Sequence, residues 1–248
     1  MSLTLKIALS PVLAWQAVLA RRNVPRLPEP EGPRQGVLGR GAPVKLLVAG
    51  DSSAAGVGVA LQQQALALPL AQELARRAGR RIEWQLLARS GLNTQQTLQM
   101  IRRDCARADL AVIVTGVNDV VEQVPSHRAL RERQALATWL LHHGGAQHVC
   151  FVPLPPVHGF HGLPQPLRWV VGQDAQRHNR ALREWLAPGG DARLSLVALD
   201  LPVNRGMMAS DGFHPGEKAY RYIARGIAQH LTQTLDQMGS RNARVRGE

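Results

Sequence analysis

Four short polar segments of this 248-residue chain hold the side chains able to do covalent chemistry: Gly50-Asp51-Ser52-Ser53, Ser90-Gly91, Gly116-Val117-Asn118-Asp119 and Asp211-Gly212-Phe213-His214. A serine hydroxyl is a weak nucleophile at neutral pH and needs a base beside it. Ser52 is the candidate nucleophile and His214 the candidate base, because imidazole titrates close to neutral pH. Asp211, three residues earlier in the same loop, can accept the other ring N–H and fix the tautomer. The order serine, aspartate, histidine is one of those known for such triads. A tetrahedral intermediate also needs hydrogen-bond donors for its oxyanion. The Asn118 amide and the backbone N–H of Gly91 suit that role, with the N–H of Ser52 as a third. A glycine at 91 lets backbone approach a substrate closely. Alone, Ser52 is an ordinary turn or capping serine and Asp211 an ordinary helix N-cap. The full set points to acyl transfer.

Residues this far apart meet only if the fold brings them to one edge. Apolar runs at 44–50, 82–88, 110–116, 148–154 and 195–201 predict five buried strands. Helical patterns fall between and after them: 61–78, with Pro69 as a kink or the true start, 94–107 capped by Asn93 or Thr94, 126–143, about 168–187, and 216–236. Strands alternating with helices predict an α/β fold, a three-layer α/β/α sandwich around a five-stranded parallel sheet. Each reactive segment follows a strand, and in open parallel sheets ligands bind outside the carboxyl ends of the strands.

Those same segments resemble the sequence blocks of the SGNH/GDSL hydrolase superfamily. Gly50-Asp51-Ser52-Ser53 is similar to the GDSL block, Ser90-Gly91 to the glycine block, Gly116-x-Asn118-Asp119 to GxND and Asp211-x-x-His214 to DxxH, all in the family's order. The resemblance implies the flavodoxin-like SGNH hydrolase fold and an esterase or lipase acting on ester bonds. Its named residues would be Ser52, Gly91, Asn118 and His214, with Asp211 completing the triad. Ser53 departs from the motif's leucine and leaves the nucleophile intact; it is read as structural, and Asp119 as fixing its own loop.

No cofactor or metal is expected. Gly56 and Gly58 do not make a dinucleotide fingerprint, and Ala88-Arg89 stands where the acidic partner would be. Cys105 and Cys150 lack zinc spacing and read as small buried apolar residues. His127, His142, His143, His148, His178 and His230 lack ligand spacing. His158 and His161 flank Gly159-Phe160 without carboxylates nearby, which favours a substrate loop over a metal. That loop, 154–169, is long and Pro-rich, and Phe160, Leu163, Leu167 and Trp169 can supply an apolar acyl site. The substrate class that follows is a short- to medium-chain or lipid-like ester or thioester. Two alternatives share the fold: a carbohydrate O-deacetylase, disfavoured by an aromatic content of 4%, and a non-catalytic membrane-tethered binding domain.

The net charge of +12 is not taken as a nucleic-acid signal. Much of the excess sits outside the domain, at Arg21, Arg22, Arg26, Arg34 and Arg40 and at Arg241, Arg244 and Arg246, with little aromatic interleaving for base stacking. Attraction to anionic lipid headgroups fits better. Residues 1–22 form an apolar segment readable as a signal, an anchor or an interfacial helix, so the chain is expected to be membrane-associated or exported, with a cytoplasmic membrane-peripheral location as the alternative. Residues 23–43 read as a linker or extended wrap, 44–238 as the hydrolase domain, and 239–248 as a basic tail. Oligomeric state leaves no mark in the sequence.

Overall fold

The computed structural model describes residues 9–16, 18–19, 27–160, 162–200, 204 and 206–245, with 239–245 as backbone only. Its centre is a six-stranded sheet in the order β1-β3-β2-β4-β5-β6. The strands are β1 Gln35–Leu38, β2 Pro43–Gly50, β3 Arg81–Ala88, β4 Leu110–Val114, β5 His148–Phe151 and β6 Leu194–Leu196. β2 to β6 run parallel, and β1 lies antiparallel to β3. The helices are α1 Ser52–Ala55, α2 Ala67–Ala78, α3 Thr94–Asp104, α4 Val117–Val121, α5 Ser126–His142, α6 Leu167–Trp185 and α7 Glu217–Val245.

The three layers follow from the period of the strand. Along β2, Val44, Leu46 and Val48 face a core shared with Leu70 and Leu74 of α2 and Tyr220 and Ile227 of α7. Leu47 and Ala49 face the opposite core, with Ile101 of α3, Leu136 and Leu140 of α5 and Leu182 of α6. Successive side chains point to opposite faces, so a strand covered on both sides must be apolar throughout.

Three expectations need correcting. The sheet has six strands, not five, because Gln35–Leu38 lies within the 23–43 stretch. It pairs through one side only and alternates exposed with half-buried residues, so it carries no buried run to announce it. The last strand stops at Leu196 rather than running to 201. Its neighbour β5 ends just before Pro153, Pro155 and Pro156, which have no N–H to offer a ladder. Cys105 is only partly buried, whereas Cys150 is fully so; burial pushes the two thiols up to about 11 and about 12. Pro69 marks a helix start, since it is the third residue of α2, where the helix has no internal acceptor for its N–H. Asn93 caps α3 by accepting the Gln96 N–H at 2.9 Å. Residues 9–16 are helical, and among the described residues no helix is long and apolar enough to cross a membrane. Residues 1–8, 17 and 20–22 of the apolar segment, together with Arg26, His161, Leu201 and Arg246, lie outside the described residues.

Sheet order reverses at β2, with β3 on one side and β4 on the other. Gly50 is in register with both Ala88 and Val114. The segments carrying Ser52, Gly91 and Asn118 therefore leave the sheet from one level, at the switch point where a crevice forms.

Candidate active site

Gly50 makes the turn into the site possible. A Cβ there would lie 1.8 Å from the Val114 carbonyl oxygen, so only glycine lets β2 end this close to β4. Asp51 then caps the short α1 by accepting the Ser53 N–H at 2.9 Å, which sets Ser52 as the first helical residue. Asp51 is 1% exposed, and burial pushes its carboxyl up to about 7.

The histidine arrives on a closed loop. Met208 bridges to Pro215, the Ala209 N–H donates to the His214 carbonyl at 2.8 Å, and Gly212 takes a left-handed φ of 64°. His214 Nε2 lies 3.0 Å from Ser52 Oγ. On the other side of the ring, Nδ1 lies 2.6 Å from Asp211 Oδ2. Asp211 Oδ1 accepts the backbone N–H groups of Phe213 and His214, each at 2.9 Å. Burial alone would raise the Asp211 carboxyl, but the His214 ring and these backbone donors outweigh it and hold it below its usual value. An ionised Asp211 accepts a hydrogen bond from Nδ1–H and keeps the proton on that nitrogen, so Nε2 presents a lone pair to the serine hydroxyl. Two contacts lock the serine and histidine loops together. Tyr220 donates its hydroxyl to the Val57 carbonyl at 2.7 Å. A Cβ on Gly58 would meet the Pro215 carbonyl oxygen at 2.3 Å.

The proposed oxyanion donors are held by a separate set of bonds. Asn118 donates one amide hydrogen to the Leu92 carbonyl at 2.9 Å, which ties its loop to that of Gly91 and leaves the second hydrogen unspent. Gly91 adopts φ +85°, and a Cβ there would meet nothing within 4 Å. Its positive φ, not crowding, is what selects glycine. Among the described residues, the N–H groups of Ser52 and Gly91 donate to no protein acceptor. Asp119 reaches beyond its own loop: it accepts the Thr94 N–H at 3.1 Å and the Thr94 hydroxyl, and it pairs with Arg133 at 3.5 Å.

A cleft of about 20 Å³ at Ser52 is lined by Val117, Pro155, Phe160, Met208, Phe213 and their neighbours. Phe160 packs edge-on against Phe213, ring centroids 5.1 Å apart, and Phe213 does the same against His214. Leu163 packs behind this cluster, and Trp169 is 41% exposed; neither lines the cleft. A larger cavity of about 250 Å³, bordered by His127, Asp174 and His178, contains none of Ser52, Gly91, Asn118 and His214. Among the described residues no cluster of His, Cys, Asp or Glu could hold a metal.

Some participants escaped the sequence reading. Glu29, in the 23–43 stretch, accepts the Ser90 N–H at 2.7 Å and pairs with Arg34, which also donates to the Ala88 carbonyl. Nothing local marks it. Arg133 did leave a signal, since it falls on the apolar face of α5 with Ala129, Leu136 and Ala137.

Residues 48–222 match the model of the GDSL-like Lipase/Acylhydrolase family. This chain belongs to that family. The GDSL-like esterase Rv1075c of Mycobacterium tuberculosis is 26% identical over 248 residues, covering 91% of this chain and 78% of that protein. Among solved structures, the lipase Lip_vut3 from a goat rumen metagenome superposes with a TM-score of 0.59 at 16% identity, over 76% of this chain and 97% of that one. The acetyl xylan esterase AlAXEase gives 0.58 at 16% identity, over 76% and 100%. TesA gives 0.55 at 21% identity, over 75% and 97%. These three share the α/β fold with this GDSL-family chain, and membership of a family of lipases and acylhydrolases supports hydrolase activity on esters.

Proposed function

We propose that this GDSL-family chain hydrolyses carboxylic esters or thioesters through an acyl-enzyme on Ser52. The observation that carries the reading is the continuous relay from Ser52 Oγ to His214 Nε2 at 3.0 Å and from His214 Nδ1 to Asp211 Oδ2 at 2.6 Å. Ser52 attacks the carbonyl carbon as His214 takes its proton, and Asp211 stabilises the imidazolium. The oxyanion is received by the N–H groups of Ser52 and Gly91 and the second amide hydrogen of Asn118. Collapse expels the alcohol, or thiol, which takes the proton back from His214. Water, activated by the same histidine, then releases the acid and restores the serine.

The apolar wall of Phe160, Met208 and Phe213 at Ser52 favours an acyl chain over a sugar in the cleft. Likeness to an acetyl xylan esterase at 16% identity does not shift that balance. For location, we favour a membrane surface. Trp15 is 62% exposed on the helical N-terminal residues, Val12, Val18 and Trp169 are also exposed, and Arg21 and Arg22 follow in sequence. An exposed apolar helix beside cations suits contact with anionic lipid.

A fluorophosphonate probe that labels serine hydrolases tests the reading without a guess at substrate. The adduct is expected on Ser52 by mass spectrometry and is expected to be absent from Ser52→Ala and His214→Ala. Folded protein that takes no label would move the assignment to a non-catalytic binding domain.

A further inference from the structure

Beside the cleft at Ser52 lies a second space of about 70 Å³ on the α7 side of the sheet. Ser53, Val117, Pro155 and Pro215 border both spaces, so any passage between them runs past these four residues. The inner wall is made by the buried Leu66, Val152, Leu154 and Tyr220, with Leu199 and Ile223. Its polar atoms are largely spoken for. Tyr220 donates to the Val57 carbonyl, Asp51 Oδ1 accepts the Ser53 N–H, and the Thr115 hydroxyl lies 3.2 Å from that of Thr94. What remains facing the space is mainly hydrocarbon. An unfilled apolar space forfeits packing contacts, and a substrate's alkyl chain would restore them.

The chemistry decides which half of an ester belongs there. The alcohol must receive a proton from His214 and depart before water enters, so it needs a route to solvent. The acyl group stays bonded to Ser52 through both steps and suits a recess walled by buried side chains.

We infer that this recess holds the distal carbons of the acyl chain, and that Ser53, where the family motif places leucine, keeps the passage open. The assignment rests on Ser52 being the nucleophile. At roughly 10–15 Å³ for each water-sized group, a recess of this size takes about five to seven. The preferred acyl group therefore has about six to eight carbons, counting the carbonyl held at Ser52. Acetyl leaves the recess empty, and chains of about ten carbons overfill it.

Two measurements run side by side on wild type, Ser53→Leu, Ile223→Phe and Ile223→Ala: kcat/KM for p-nitrophenyl esters from acetate to dodecanoate, and fluorophosphonate labelling at Ser52. Wild-type kcat/KM is expected to climb about fourfold per methylene up to hexanoate, the gain from burying each group, and to drop by decanoate. Ser53→Leu closes the passage and is expected to cut the hexanoate-to-acetate ratio at least tenfold. From the far wall, Ile223→Phe shortens the optimum and Ile223→Ala lengthens it by about two carbons; this pair decides if the leucine variant misfolds. Proteins that label at Ser52 but share one chain-length profile would overturn the recess and leave the esterase reading standing. Wild type that folds and does not label would overturn both.

Discussion

On the side of the nucleophile loop that faces α5, the ground beneath the site is polar and filled. Arg133, 1% exposed, lies 3.5 Å from Asp119 and 3.4 Å from the Thr115 carbonyl, and Asp119 in turn grips Thr94 at the start of α3. On the side that faces α7, the ground is apolar and leaves a recess of about 70 Å³, with Asp51 as its single carboxyl. The contrast matches the two demands of acyl transfer. In the proposed reaction the oxyanion donors must not reorganise, and the buried Asp119–Thr94–Arg133 network beside them favours that. The acyl chain must come and go, which requires room and weak, non-directional contact. On the proposed reading, one flank would supply position and the other space.

The sharpest break comes at the point where the flanks meet. Ser52→Ala and His214→Ala are each expected to lower kcat by at least ~10⁴-fold, with the double variant no worse than either. Additive losses in an ester assay would mean the two side chains do not act as a unit. Arg133→Met attacks the polar flank alone and leaves Asp119 buried without its cation. Urea unfolding is expected to show a loss of about 3–5 kcal/mol, and a loss below 1 would show that the network is not what holds this flank. Asn118→Ala is expected to cost about 100-fold in kcat, with KM little changed. A rise in KM at constant kcat would remove Asn118 from the oxyanion.

The pH dependence of stability probes the other flank. The Asp51 carboxyl is raised to about 7 in the fold, so between about 4 and 7 the folded state holds a proton that the unfolded chain releases. Its contribution is full below pH 4 and falls by about 1.4 kcal/mol per pH unit until pH 7. His148 works in the opposite sense, since burial lowers it to about 4 and stability rises with pH through that window. The difference between wild type and Asp51→Asn isolates the carboxyl, and parallel curves from pH 4.5 to 8 would refute its burial as a neutral acid. Smallest of all, Tyr220→Phe removes the bond to Val57 and should cost about 1 kcal/mol of stability. A much larger loss would make that bond the main tie between the serine and histidine loops.

The grouping of the candidate residues was readable because each motif is local. Gly50 to Ser53 packs strand end, turn and hydroxyl into four residues, Asp211 to His214 packs acid and base into one turn, and the apolar strands say where the first of these must lie. The supports were not readable, because they are defined by what lies across space. Glu29 and Ser90 are 61 residues apart and share no pattern. Sequence distance misled in the other direction at Trp169. It follows the Pro-rich loop closely, yet α6 turns Val170, Val171 and Ala175 inward and leaves Trp169 outside. Met208 and Phe213 took the place at the cleft that proximity had given to Leu163 and Trp169, because they flank the histidine loop itself.

Because β1 lies along β3, the outer row of N–H and C=O groups from Ile82 to Gln85 already has partners. A fragment cut to begin at Pro43, where the long strands start, would strip those partners away and bare a strand carrying Ile82, Trp84 and Leu86. Bare strands of that kind recruit the backbone of other chains. Shortening this protein to the block that begins at Pro43 is therefore expected to make it self-associate, visible as concentration-dependent growth in light scattering.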